Sequence, residues 1–162
     1  MKRISFILIL ALIGSASLAQ STSKRGKTQI YQVKSDKMIV ANQSFGTFTD
    51  CLWVETDETQ GKIILSFEGI IHPAPPKAAY LILNIPNEQD AQSATGLTVN
   101  NGDMVVGSIP NAQAETYIYI ALNILGVNNS QNLTLTLIGG GPDGLAIASK
   151  ASGFGAMIQF EY

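Results

Sequence analysis

The sequence predicts an all-β domain, a jelly-roll-like antiparallel β-sandwich, and three observations lead there. Short runs of β-branched, aliphatic and aromatic residues recur along the chain, each only a few residues long. Clusters of Gly, Asn, Asp and Pro separate them, and no long stretch keeps the 3.6-residue period of a helix. Many short strands punctuated by turn residues are the signature of a sandwich or barrel.

The first 19 residues stand apart from that pattern. Lys2 and Arg3 open the chain, and an apolar run from Ile4 to Gly14 is broken only by Ser5. Ser17 and Ala19 then occupy −3 and −1 of a cleavage point before Gln20. This is the three-part pattern of a secretory signal peptide, and its apolar run is shorter than the roughly 20 residues of a bilayer span. The expected organisation is a cleaved signal at 1–19, a flexible polar segment at 20–27, and a single β-sandwich domain at 28–162. The expected location is secreted, extracellular or on the cell surface, with no membrane insertion.

Strands are expected at 28–33, 37–41, 51–56, 62–68, 78–85, 96–99, 104–109, 115–124, 132–138, 145–149 and 156–162. In the first, Ile30 and Gln32 alternate with Gln29, Tyr31 and Val33. At 62–68, Ile63, Leu65 and Phe67 share a face against Ile64 and Ser66. At 78–85, Ala79, Leu81, Leu83 and Ile85 form a core face, and Tyr80, Ile82 and Asn84 point away from it. Leu133, Leu135 and Leu137 oppose Thr134 and Thr136, while Ile158 and Phe160 oppose Met157, Gln159 and Glu161. One wet side per strand is what an antiparallel sandwich requires. Turns are expected at Asn101-Gly102, at Pro110-Asn111, around Gly126 with Asn128-Asn129, and through the glycine-rich residues 139–144. Residues 88–95 have room for one helical turn.

Composition narrows the function. Without residues 1–19, the Lys and Arg count falls from 10 to 8 against 12 Asp and Glu, so the net charge becomes 8 − 12 = −4. Nucleic acids and anionic membranes need clustered cations, so neither is expected as a partner. Cys51 is the only cysteine, which rules out an intrachain disulfide and leaves a buried small apolar residue as its ordinary role. Three sequons, at Asn42, Asn128 and Asn132, would be used only in a host that glycosylates them.

Catalytic patterns are weak, and the chain is expected not to be an enzyme. His72 is the single histidine and precedes Pro73, Pro75 and Pro76, so it reads as a solvated loop residue. One His with one Cys cannot build a multi-histidine zinc site. No G-x-S-x-G nucleophile elbow occurs, and none of the 12 carboxylates sits in a glycosidase-like motif. Asp143 could donate one oxygen to Ca²⁺ but alone falls short of the six to eight that such a site needs, so no cofactor is expected and Ca²⁺ is left without support.

Exposed aromatics are the better lead. If Leu52 and Val54 face the core, Trp53 faces away beside Cys51 and Glu55. Tyr117 and Tyr119 likewise oppose Ile118, Ile120 and Leu122. Aromatic faces stack on the C–H face of a sugar ring while polar tips bond its hydroxyls. The expected ligand-binding set is therefore Trp53, Tyr117 and Tyr119 as stacking groups, with Glu55, Asn84 and Asn123 supplying hydrogen bonds. Burial of the three rings under loops or neighbouring strands is the competing arrangement.

A family resemblance runs through the same elements, from about Gln29 to the end of the chain. Asp36-Lys37-Met38-Ile39-Val40 is followed by Asn42-Gln43-Ser44-Phe45-Gly46-Thr47 and by Leu52-Trp53-Val54. Ile63-Ile64-Leu65-Ser66-Phe67-Glu68, the loop from His72 to Pro76, and Ala79-Tyr80-Leu81-Ile82-Leu83 come next. Leu133-Thr134-Leu135, Ser149-Lys150-Ala151 and the stretch from Met157 to Tyr162 close the chain. In order and spacing this resembles the secreted DNRLRE-type (disaggregatase-related) β-sandwich domains and the similar alginate-type carbohydrate-binding modules. Glu68 stands where those families have Asp, and Ala151 where they have an acidic residue. The resemblance implies a jelly-roll sandwich that binds polysaccharide or serves as a surface module, without catalysis of its own.

Two functions are therefore expected from different classes. One is a secreted, non-catalytic carbohydrate-binding module or cell-surface protein whose partner is a polysaccharide or cell-surface glycan. The alternative is a structural subunit of an extracellular fibre or matrix, self-associating through edge strands by β-strand addition. In that case residues 28–33 would be the donor.

Overall fold

The structure, a computed structural model, describes residues 27–40, 43–45, 51–54, 61–85, 95–112, 117–139 and 145–162. Twelve strands fall among the described residues: β1 (Thr28–Gln32), β2 (Ser35–Val40), β3 (Gln43–Phe45), β4 (Cys51–Val54), β5 (Lys62–Phe67), β6 (Ala78–Leu83), β7 (Thr95–Asn101), β8 (Met104–Ala112), β9 (Ile118–Leu122), β10 (Leu133–Gly139), β11 (Leu145–Ala148) and β12 (Met157–Glu161). Three-residue 3-10 turns follow β9 and β11, at Ile124–Gly126 and Lys150–Ser152. No helix among the described residues is long and apolar enough to cross a membrane.

Every strand pairing is antiparallel. One sheet runs β1-β12-β6-β9, and the other runs β3-β2-β5-β10-β7-β8. A separate ribbon pairs β11 with β4. Setting aside β2, β3, β4 and β11, and renumbering the remaining eight strands along the chain, gives sheet orders 1-8-3-6 and 2-7-4-5. That is the strand order of a jelly roll, two interleaved Greek keys. The hairpin β2-β3 widens the second sheet beside β5, and the ribbon is inserted at the level of β6, where Ala148 N donates to the carbonyl of Asn84 at 2.8 Å.

Alternation places the core where the sequence puts it. Leu133, Leu135 and Leu137 lie directly across from Phe67, Leu65 and Ile63, and all six are buried. Leu81, Leu83, Ile120, Ile158 and Phe160 face them from the other sheet and are buried as well. Each such side chain contributes about 1.5–3 kcal/mol by leaving water, and β-branched or leucine rows fill adjacent rungs without polar interruption. The two sheets meet along β8 and β9, where Asn123 N donates to the carbonyl of Val106 at 2.6 Å. Gly107 allows this approach: a Cβ there would lie 2.9 Å from the carbonyl oxygen of Ala121.

Three details differ from the sequence reading. β3 was not expected, because Gln43-Ser44-Phe45 is too short and polar to show a period; pairing with β2 creates it. Pro110-Asn111 does not turn the chain but lies inside β8. The register passes from Leu97↔Ile109 to Thr95↔Ala112, so two residues oppose one in a bulge. A bulge on an edge strand is where a proline without an N–H is tolerated. The expected strand 115–124 is also shorter at its far end, because Asn123 caps a 3-10 turn. By contrast Asn101-Gly102 does turn, with Gly102 at φ +58°. Of the segment 20–27 expected to be flexible, residues 20–26 lie outside the described residues, as do 88–94 of the stretch 88–95 with room for a helical turn.

β1 belongs to its own sheet. Its five residues pair with β12 from Thr28↔Glu161 to Gln32↔Met157. Of the two arrangements weighed for residues 28–33, the structure contains the intrachain one.

Candidate functional site

Strand order brings together residues that are far apart in sequence. On the outer face of the β1-β12-β6-β9 sheet, one rung carries Ile30, Gln159, Tyr80 and Ala121, and the next carries Gln32, Met157, Ile82 and Tyr119. Asn84 and Tyr117 follow one step beyond the Leu83↔Ile118 pair, and Asn123 continues the same parity on the far side. Four of the six expected ligand-binding residues, Tyr117, Tyr119, Asn84 and Asn123, therefore sit on one side of one sheet.

Exposure separates their roles. Tyr119, on β9 at the sheet edge, is 58% exposed, and Tyr117, the residue before β9, is 44% exposed. Two positions apart on a strand, they stand about 7 Å from each other. Tyr80 lies diagonally across from Tyr119 and is half-buried. Ile82 has outward parity yet is only 3% exposed, a departure from the simple inside–outside alternation. It sits between Tyr119 and Met157 on its rung, so the face has an apolar floor with aromatic rings at its edge. Asn84 is half-buried at the margin. Asn123 is exposed, but its Oδ1 accepts from Leu125 N at 3.1 Å and so caps the 3-10 turn. Its amide nitrogen is the group left to meet a ligand.

Trp53 belongs to a different part of the fold. Its backbone pairs with Ala146 in the β4–β11 ribbon, not in the sheet that carries the tyrosines. The Trp53 side chain, like all of Glu55, lies outside the described residues. Tyr80, Met157, Gln159 and Ile82 were not singled out by sequence reasoning. Their outward parity was visible, but the β12-β6-β9 order that makes them neighbours was not.

His72 is corrected from a solvated loop residue to a packed one. Its ring stands edge-on to Phe160 with centroids 4.7 Å apart, and its Nδ1 lies 3.0 Å from the hydroxyl of Tyr162. Its Nε2 is buried without a hydrogen-bond partner. Nearby, Tyr31 donates its hydroxyl to the carbonyl of Ile71 or to Gln29 Oε1, each at 2.9 Å, and accepts from Ile71 N at 3.0 Å. These bonds pin the proline-rich loop onto the end of the sandwich. Burial holds the His72 pKa below its ordinary 6.5. Burial and the neighbouring Tyr31 raise Tyr162 above 10.0.

These shifts fix a pH window. The unfolded chain takes up a proton at His72 near pH 6.5 while the folded chain resists it. This contribution is therefore complete above pH 6.5 and is lost as pH falls through the lower folded value. For Tyr162 the contribution is complete below pH 10.0 and is lost as pH rises through the higher folded value. Urea midpoints should fall between neutral and mildly acidic pH in the parent protein and fall less in His72→Gln. Equal acid sensitivity in both would place the responsible group elsewhere.

At the opposite face, Asp36 Oδ2 accepts from Lys150 N, and Lys150 Nζ donates to the carbonyl of Lys34 at 2.7 Å. The capping residue of that turn, Ser149, is fully buried. This clasp ties the end of the chain to β2 and is structural in kind. No group of three or more His, Cys, Asp or Glu that could hold a metal ion occurs among the described residues.

The fold and its tyrosine-edged face thus define an all-β jelly-roll sandwich with exposed tyrosines on the outer side of one sheet. Compared with known proteins, the chain matches no family model and no curated protein.

Proposed function

We propose that this chain is a secreted, non-catalytic carbohydrate-binding protein that uses the outer face of the β1-β12-β6-β9 sheet as its glycan platform. The observation that carries this reading is the exposure of Tyr119 and Tyr117 over a sheet whose core is already filled. Large aromatics left in water at a sheet edge are poorly explained by packing, whereas a sugar ring needs such a surface. The signal-like start of the chain and the resemblance to DNRLRE-type domains point the same way.

Tyr119→Ala tests it. The parent protein should be retained by polysaccharide and the variant should pass through, with unfolding free energies within about 0.5 kcal/mol of each other, as befits an exposed side chain. Retention that survives the substitution would remove the platform from this face. A large fall in stability would make Tyr119 a packing residue instead.

A further inference from the structure

We propose that the ligand of this face is an uncharged polysaccharide, bound without ion pairing, and not a uronate polymer; this rests on the platform reading above. The argument comes from what the face offers. Its rungs read Ile30, Gln159, Tyr80 and Ala121, then Gln32, Met157, Ile82 and Tyr119. Neither rung contains an ionisable group that is charged at neutral pH. The polar atoms are two carboxamides, Gln32 and Gln159, and two phenols, all of which donate to and accept from neutral hydroxyls.

Charged groups begin only at the margin of the face. The third rung carries Thr28, Glu161 and Ala78, and the Glu161 carboxylate receives only a 3.2 Å bond from Gln159 Nε2. Lys27 and Lys77 flank that rung at the ends of β1 and β6; both are exposed, and neither stands on the two rungs above. A polyanion would meet the Glu161 carboxylate and find no guanidinium or ammonium on the two rungs to offset its charge. A neutral chain meets no such repulsion, and stacking on Tyr117 and Tyr119 does not depend on ionic strength. The same logic separates a cationic polymer, which would bind through Glu161 and would release in salt.

The experiment compares matrices of known charge. Columns of insoluble cellulose, chitin and β-mannan stand for uncharged polymers, gels of alginate and polygalacturonate for uronates, and chitosan for a cationic one. Each is run with the parent protein and Tyr119→Ala, at low and at molar salt. The expected result is retention on at least one uncharged matrix, unchanged by salt and weakened about tenfold or more in Tyr119→Ala. Tyr119-dependent retention on alginate, polygalacturonate or chitosan alone, or retention abolished by salt, would overturn the uncharged ligand while leaving the platform standing. Retention on no matrix, or retention indifferent to Tyr119, would overturn the platform and this inference with it.

Discussion

Truncating Phe160 to alanine should destabilise the domain by about 3–5 kcal/mol through lost burial and the cavity left behind. Phe160 is fully buried at the centre of the β1-β12-β6-β9 sheet, and Gln29 and Ala79 flank it on the neighbouring strands. Its ring also receives Tyr31 edge-on at 6.2 Å and His72 at 4.7 Å. Aromatic pairs of this geometry add about 0.5–1.5 kcal/mol each beyond area, which should put the loss toward the top of the range. Phe67→Ala, equally buried in the facing sheet but with no ring stacked on it among the described residues, provides the comparison. It should cost about 3–5 kcal/mol by the cavity alone. Chemical denaturation of both variants measures the difference. A loss below about 1 kcal/mol for Phe160→Ala would mean that the site collapses around the missing ring or that its face is wrongly assigned. The acid sensitivity tied to His72 should also diminish in Phe160→Ala, because the ring that desolvates the imidazole is gone.

Period-two alternation made much of this core legible before any coordinates. Leu65, Phe67, Leu81, Leu83, Leu135 and Phe160 were expected inside, and all six are at most 1% exposed. What alternation cannot supply is strand order. Tyr80 and Tyr119 are outward by parity, but only the β6↔β9 register makes them neighbours. Ile82 shows the reverse failure: it is outward by parity and buried by its neighbours, which a single strand does not reveal. Pro110 misled because proline in a sequence reads as a turn, while a bulge on an edge strand admits it just as well. His72 was misread because its partners, Phe160 and Tyr162, lie some ninety residues away in the chain. The polar loop around it gave no local sign of them. Trp53 shows the same limit, since parity does not reveal that its strand pairs in the β4–β11 ribbon and not in the tyrosine-bearing sheet.

Deleting residues 20–33 should unfold the domain and not merely release a subunit from an assembly. β1 supplies five rungs to β12. Beyond them, Tyr162 N donates to the carbonyl of Lys27 at 3.0 Å and Val33 N donates to the carbonyl of Ala156 at 2.9 Å. Val33 is buried in the main core, and Tyr31 packs against it while anchoring Ile71 through its hydroxyl. Burial of two such side chains amounts to about 3–6 kcal/mol, and the stripped backbone of β12 would become an exposed edge beside Ile158 and Phe160. Small domains have only about 5–15 kcal/mol of net stability, so the truncated chain should be largely unfolded or aggregated. Circular dichroism and sedimentation of the shortened protein check this. A well-folded monomer would show that β1 is dispensable and free to serve another copy. The full chain provides the other half of the test, because exchange of β1 between copies would preserve the same five rungs and the same buried Val33. Sedimentation across a wide concentration range should show a monomer throughout. Concentration-dependent oligomers that disappear with the deletion, leaving a folded monomer, would instead make the strand a donor and favour the fibre alternative.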